Sequence, residues 1–383
     1  MGAEIERSWF GKIIKYRFLN EHKRTREERN VGLIQRTKKC RTFKSPLTRA
    51  KEGGLLHELV FGSLLITKLF RKNRVIISPG ESGPQEKEIS VMVLEYFEPT
   101  TSREALDLLG KHGDDARVIA GGQSLLVMIR QRFLSPSYLI SLKKVSGLQG
   151  VTEDPSGKLV IGAMTTHKEV SSSPVLSRKV PILCQAGSKV GSTAIRNLGT
   201  IGGNICHNEM GADPPTALLA LDAKAVCESA KGRRAVPLEV FFKDFFETAL
   251  QRGEILTALE VPAPPADAVG VYLKHVLRTG DLAIVGAAVL LELESEGKKC
   301  REVRIGLGGV SPIPLRARKA EAILRGNEIS DAILNEVGEV AMSEADPISD
   351  AHGTAEYRRR MVAVFVKRAI RQALDLASKK GKK

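Results

Sequence analysis

Two pairs of adjacent glycines, Gly121-Gly122 and Gly202-Gly203, stand beside small polar residues: Ser124 in the first, Thr200 and Asn204 in the second. Successive backbone N–H groups at a glycine turn make a concave nest for an anion. Glycine lets a backbone approach a phosphate closely and takes up positive φ. Ser and Thr hydroxyls and an Asn amide add side-chain donors. Two such turns are suited to grip a pyrophosphate from two sides, although a lone Gly-Gly is also what an ordinary tight turn contains. No GxGxxG follows the first strand and no GxxxxGK[ST] occurs, so neither a Rossmann nor a P-loop reading holds.

The elements around these turns are legible from Met92 onward. Thr101 with Glu104 three residues later is a capping box, opening a helix that Gly113 closes. Ala116–Ala120 reads as a strand that runs into the first glycine pair, and Leu125–Ile129 as the apolar helix behind it. Tyr138–Leu142 and Leu159–Ala163 read as strands and Val180–Val190 as a helix. Residues 199–204 read as a glycine-rich turn, and Pro214 and Pro215 as the first turn of a helix. Strands over 223–228 and 255–261 flank a basic turn, Lys231–Arg234. After the linker Pro262-Ala-Pro-Pro265 come strands over 270–277, 283–294 and 301–309. Helices follow near 316–325, 329–342 and from Thr354. Strands followed by helices indicate an α+β layer.

The chain of 383 residues carries a formal charge of +15. That excess suggests nucleic acid until it is located. Residues 1–91 hold 20 Lys and Arg against 10 Asp and Glu, and the rest holds 39 against 34. The charge belongs mainly to the front quarter, and no RNP, zinc or helix-turn-helix signature accompanies it. Residues 21–51 lack a helical or strand period, and Met92 reads as the true start with 1–91 a disordered or extraneous extension. A basic arm for anionic partners is the functional alternative. The five cysteines are scattered without a CxxC pair, so this chain holds neither a zinc site nor an iron–sulfur cluster. No stretch is long and apolar enough to span a bilayer. Free thiols in a reducing cytoplasm are the plain expectation.

Ala116-Arg-Val-Ile-Ala-Gly-Gly-Gln-Ser-Leu-Leu126 resembles the first flavin motif of the FAD-binding medium subunit of the molybdenum hydroxylases, a family that includes aerobic carbon monoxide dehydrogenase and xanthine dehydrogenase. Arg196-Asn-Leu-Gly-Thr-Ile-Gly-Gly-Asn204 resembles the second. Ile161–His167, Ala212–Ala223 and Arg304–Arg316 are similar to further family stretches, in the expected order. The resemblance covers about 92–375.

The resemblance implies a two-subdomain α/β FAD-binding domain of the vanillyl-alcohol-oxidase type over 92–265, with subdomains of about 92–150 and 151–265. An α+β C-terminal domain over 268–378, with an antiparallel sheet and helices, follows. It places Ala120, Gly121, Gly122, Gln123, Ser124 and Leu125 with Thr200, Ile201, Gly202, Gly203 and Asn204 at the FAD diphosphate, and adds Thr165. It puts Asp213 by the ribityl chain, and Lys274, Asp281 and Leu282 beside the flavin ring. From the residues alone, Asp213 reads equally as an N-cap and Lys274 as a solvated strand lysine. Leu282 stands where carbon monoxide dehydrogenase-like members often carry an aromatic residue, which leaves the electron acceptor open. His167, His207 and Cys206 lie beside the motifs and read as structural.

The function so implied is that of an electron-transfer subunit in a hetero-oligomer. A large molybdopterin-binding subunit and a small [2Fe-2S] subunit are the implied partners, and FAD passes their electrons to an external acceptor. A stand-alone FAD-dependent oxidoreductase with its own substrate pocket is the alternative.

Overall fold

The first glycine pair follows a strand of a small, mostly parallel sheet. The computed structural model describes residues 58–61, 64–67, 74–77, 92–294 and 299–380, all within the unit Leu56–Lys383. The rest of residues 1–91, and with it the question of an extension, lies outside the described residues. Within that front segment β1 (Glu58–Phe61) and β2 (Leu64–Thr67) form an antiparallel hairpin. β3 (Arg74–Ile77) adds an antiparallel edge to β4 (Met92–Phe97), its Val-Ile-Ile run supplying β-branched residues.

α1 (Ser102–His112) follows β4. Thr101 caps it by accepting from the Glu104 N–H, and Gly113 ends it at φ 53°. The Glu104 carboxylate reaches back one residue further than a standard capping box, to the Thr100 N–H at 2.8 Å. β5 (Ala116–Ile119), α2 (Leu125–Arg130) and β6 (Tyr138–Ser141) complete the first subdomain. Its sheet runs β3-β4-β6-β5, with β4, β6 and β5 parallel.

The second subdomain opens with β7 (Val151–Glu153) and β8 (Leu159–Gly162). The helix expected near 180–190 is present, and two short helices that the sequence reading does not include precede it. α3 (His167–Ser172) starts on a full Thr166–Glu169 capping box, and α4 (Pro174–Lys179) and α5 (Pro181–Ser188) each start on a proline. Pro181 has no N–H to continue the preceding helix, so the run breaks there. α6 (Thr193–Leu198) and α7 (Ile201–His207) follow. The second glycine pair therefore lies inside a helix and not in a turn. α8 (Asp213–Ala220) comes next, with all eight residues buried.

β9 (Lys224–Ser229) and β10 (Gly232–Pro237) form a hairpin, so Arg233 and Arg234 belong to a strand where a basic turn was expected. α9 (Leu238–Phe241), the small β11 (Phe242–Asp244) and β12 (Glu247–Thr248) pair, and β13 (Ile255–Val261) close the domain. The sheet order is β10-β9-β13-β8-β7, antiparallel throughout.

β14 (Val269–His275), β15 (Val285–Leu293), β16 (Cys300–Gly308) and β17 (Leu315–Arg316) form the last antiparallel sheet, in that order. α10 (Arg318–Leu324), α11 (Asp331–Glu344) and α12 (Ala355–Lys380) share its apolar core. α8 packs on β15 and β16. A Cβ on Gly306 would overlap the Thr216 carbonyl oxygen, so glycine is what lets this helix lie so close to the strand. The α+β reading of the sequence holds.

Candidate functional site

The two glycine segments touch. A Cβ on Gly121 would overlap the Leu198 carbonyl oxygen and lie 2.8 Å from Gly199 Cα. Gly122 has φ +72°, in the left-handed region that side chains avoid. Gln123 Nε2 donates to the Gly121 carbonyl oxygen at 3.1 Å and stiffens the turn. Among the described residues no hydrogen bond uses the backbone N–H groups of Gly121, Gly122, Gln123 or Ser124. Ser124 stands at the N-cap of α2 without a capping bond from its hydroxyl. This is a run of open donors at a glycine turn, as a nest requires.

The second segment is different. The Ile201 N–H donates to the Thr165 carbonyl oxygen and the Gly202 N–H to that of Ala163, both at 2.9 Å. The Thr200 hydroxyl accepts from the Gly203 N–H at 3.1 Å, and the Thr200 carbonyl from the Asn204 N–H at 3.0 Å. All four N–H groups of the first turn of α7 are thus engaged within the chain. The groups left for a ligand are the proton of the Thr200 hydroxyl and the Asn204 side chain, whose Oδ1 is buried without a partner.

Thr165 does not present its side chain to this cleft. It is fully buried, and its hydroxyl donates to the Gly150 carbonyl at 3.0 Å while accepting from the Gly150 N–H at 2.9 Å. His167 sits under the same segment. Its N–H donates to the Gly199 carbonyl oxygen, its ring Nδ1 has no partner, and burial, helped by Arg196, pushes its pKa down to about 4. His207 lies against Phe246 at 5.0 Å between ring centroids, and burial lowers its pKa too. Burial pushes the Cys206 thiol up to about 12, which opposes thiolate chemistry.

Asp213 and Lys274 meet. Lys274 Nζ lies 2.8 Å from Asp213 Oδ2, with both side chains almost fully buried. The Tyr272 hydroxyl donates to Asp213 Oδ1 at 2.6 Å, and Lys274 also donates to the Lys189 carbonyl. Ala212, not Asp213, is the N-cap of α8, and Lys274 is not solvated. Burial raises the Asp213 carboxyl, while Lys274 and Tyr272 pull it back. Burial and the Asp213 charge raise the Tyr272 phenol well above its ordinary value. Tyr272 escaped the sequence reading; the signal was its place two residues before Lys274, on the same face of a strand.

The 276–284 loop stands beside this cluster. The Ala283 N–H donates to the Gly211 carbonyl at 3.0 Å, and a Cβ on Gly211 would lie 3.1 Å from Leu282 Cβ. Leu282 itself remains 48% exposed, unlike the buried Ala283. Asp281 is half-buried, its N–H bonded to the Arg278 carbonyl. Leu126 and Leu198, beside the two glycine segments, are further exposed apolar side chains. Among the described residues no group of His, Cys, Asp and Glu is placed to hold a metal ion.

Known proteins share this fold. The family described as the FAD binding domain in molybdopterin dehydrogenase matches residues 90–264, and the CO dehydrogenase flavoprotein C-terminal domain matches 272–373. The carbon monoxide dehydrogenase medium chain of Hydrogenophaga pseudoflava is 36% identical over 279 residues, 73% of this chain and 96% of that one. The 6-hydroxypseudooxynicotine dehydrogenase complex subunit alpha of Paenarthrobacter nicotinovorans is 34% identical, across 74% of this chain and 95% of that one. A solved carbon monoxide dehydrogenase from Hydrogenophaga pseudoflava, lacking the Mo-pyranopterin moiety of its cofactor, superposes with a TM-score of 0.71. That match has 38% identity and covers 73% of this chain and 96% of that one. With both halves matched in order, this chain belongs to the FAD-binding medium subunits of the molybdenum hydroxylase family, and it is an oxidoreductase subunit whose cofactor is FAD.

Proposed function

We propose that this chain is the electron-transfer subunit of a molybdenum hydroxylase complex, holding FAD between the 120–125 turn, the 200–204 segment and the 274–282 region. The observation that carries the reading is the run of unpaired N–H groups from Gly121 to Ser124, docked against Leu198 and Gly199. Those donors fit a diphosphate, and the Thr200 hydroxyl and the Asn204 side chain, whose Oδ1 has no partner, stand at the start of the adjoining helix. Bound FAD supplies the redox chemistry, exchanging electrons singly or in pairs. The protein binds, orients and tunes. Lys274, held by Asp213 and the Lys189 carbonyl, supplies a buried positive charge that favours electron density nearby. Leu282 supplies an exposed apolar surface for a ring.

The chain divides, on this reading, into an FAD-binding domain over 92–265 and a C-terminal domain over 268–378. Its partners are a large molybdopterin-binding subunit and a small [2Fe-2S] subunit, and the complex passes electrons to an external acceptor in the cytoplasm. Among the described residues no helix is long and apolar enough to cross a membrane.

Purification of the tagged full-length chain from cells holding the neighbouring subunits tests this. The expected result is releasable FAD with one large chain and one small iron–sulfur chain. FAD without partners would overturn the assembly and leave a stand-alone flavoenzyme. A folded, partnered chain without flavin would overturn the assignment of the glycine segments.

A further inference from the structure

We propose that Arg358, on α12 and remote in sequence from every flavin motif, is the positioning residue that sets Leu282 at the flavin side of the site. The inference rests on the FAD reading above. Arg358 is 2% exposed, among the largest fully buried side chains of the described residues. Its Nη1 donates to the Ile284 carbonyl at 2.8 Å and to the Gly309 carbonyl at 2.7 Å. Its Nη2 donates to both Asp350 oxygens, each at 2.8 Å. One guanidinium thus ties the loop after β14 to the loop after β16, with Asp350 balancing its charge.

The same two loops are held from the other side by the FAD-binding domain. The Ala283 N–H donates to the Gly211 carbonyl at 3.0 Å and the Gly309 N–H to the Met210 carbonyl at 2.7 Å. Residues 210–211, 283–284 and 309 therefore form one backbone node with Arg358 at its back. Leu282 is the residue just outside that node. Half exposed, it has little packing of its own to fix it, so its place follows from the Ala283 and Ile284 backbone. Residues 276–282 are otherwise tied down weakly: among the described residues the Asp281 N–H bonds only back to the Arg278 carbonyl, and Leu277 is well exposed. A lysine cannot replace the guanidinium here, because an ammonium has three donors and no planar fork to reach two carbonyls and a carboxylate together.

The test uses the full-length chain freed of flavin, as wild type and as Arg358→Lys, with Asp350→Asn as a milder variant that keeps the guanidinium. Three quantities are measured: amide exchange at Ala283 and Gly309, affinity for FAD, and affinity for ADP as a probe of the diphosphate site alone. Arg358→Lys is expected to speed exchange at both amides about tenfold or more. It should weaken FAD about tenfold and leave ADP unchanged, since only the ring end is loosened. Asp350→Asn should act in the same direction by less. Unchanged exchange would overturn the clamp. An equal fall in FAD and ADP would also overturn it, because that marks general loosening. A wild-type chain that binds neither ligand would overturn the flavin reading by itself, and exchange at the two amides would still decide the clamp.

Discussion

Gly121-Gly122 and Gly202-Gly203 look interchangeable in the sequence and do different physical work in the fold. The first pair closes a strand, adopts a left-handed conformation at Gly122 and leaves its N–H groups open. The second pair opens a helix whose first-turn N–H groups are all spent on Thr165, Ala163 and Thr200. There, glycine serves close approach: a Cβ on Gly202 would lie 2.6 Å from the Ala163 carbonyl oxygen. One pair presents backbone, whereas the other wedges a helix against a neighbouring segment so that Thr200 and Asn204 stand beside the first. A shared composition is therefore no guide to shared chemistry; the fate of the N–H groups decides it.

The contrast is sharpest if each pair is given one methyl group. Gly121→Ala drives a Cβ into the Leu198 carbonyl and parts the two segments, and we expect FAD affinity to fall about 100-fold, near 3 kcal/mol. Gly202→Ala should act on stability instead, by about 1–3 kcal/mol, with affinity following only as the helix shifts. Flavin titration and denaturant melts of both variants separate the two. If both lose affinity alike and neither loses stability, the division of labour is wrong.

Acid should attack the second segment selectively. Burial holds His167 neutral in the fold with a pKa of about 4, against 6.5 for the ordinary group. The unfolded chain takes up that proton first as pH falls. The stability it represents is complete above pH 6.5 and is lost between there and about pH 4, amounting to roughly 3 kcal/mol. His167→Phe should flatten this limb of a pH–stability curve. An unaltered slope in that variant would assign the acid sensitivity to other groups.

The smallest effect concerns the cap. Thr200→Ala should lower stability by about 1 kcal/mol and release the Gly203 N–H, while Thr200→Ser should restore both. If alanine leaves the melting curve where it was, the hydroxyl serves a ligand rather than the helix.

Local rules carried the sequence reading a long way. Thr101 and Glu104 announce α1, and the three long strands of the last sheet fall within a residue or two of their expected places, because alternation and capping act over a few positions, whereas the two-residue β17 lies where a helix start was expected. α3 and α4 were missed because six residues are too few to show a helical period, although Thr166 and Glu169 spelled a capping box in plain view. The second glycine pair reads as a turn because glycine is a poor helix former, and tertiary packing on Ala163 overrides that preference. Within the site, the open amide run was legible as a glycine turn after a strand. The Asp213–Tyr272–Lys274 cluster was not, since it joins a helix to a strand about 60 residues on, and no local pattern reports such a meeting.

α8 has a last consequence. Every residue from Asp213 to Ala220 is buried, and its close fit against β16 makes it core for both halves of the molecule. Pulling the halves apart would expose a largely apolar helix to water and leave Asp213 without Tyr272 and Lys274. They should therefore melt together, in a single cooperative transition, and a cut at Pro262–Pro265 would yield fragments that aggregate rather than two domains that fold alone.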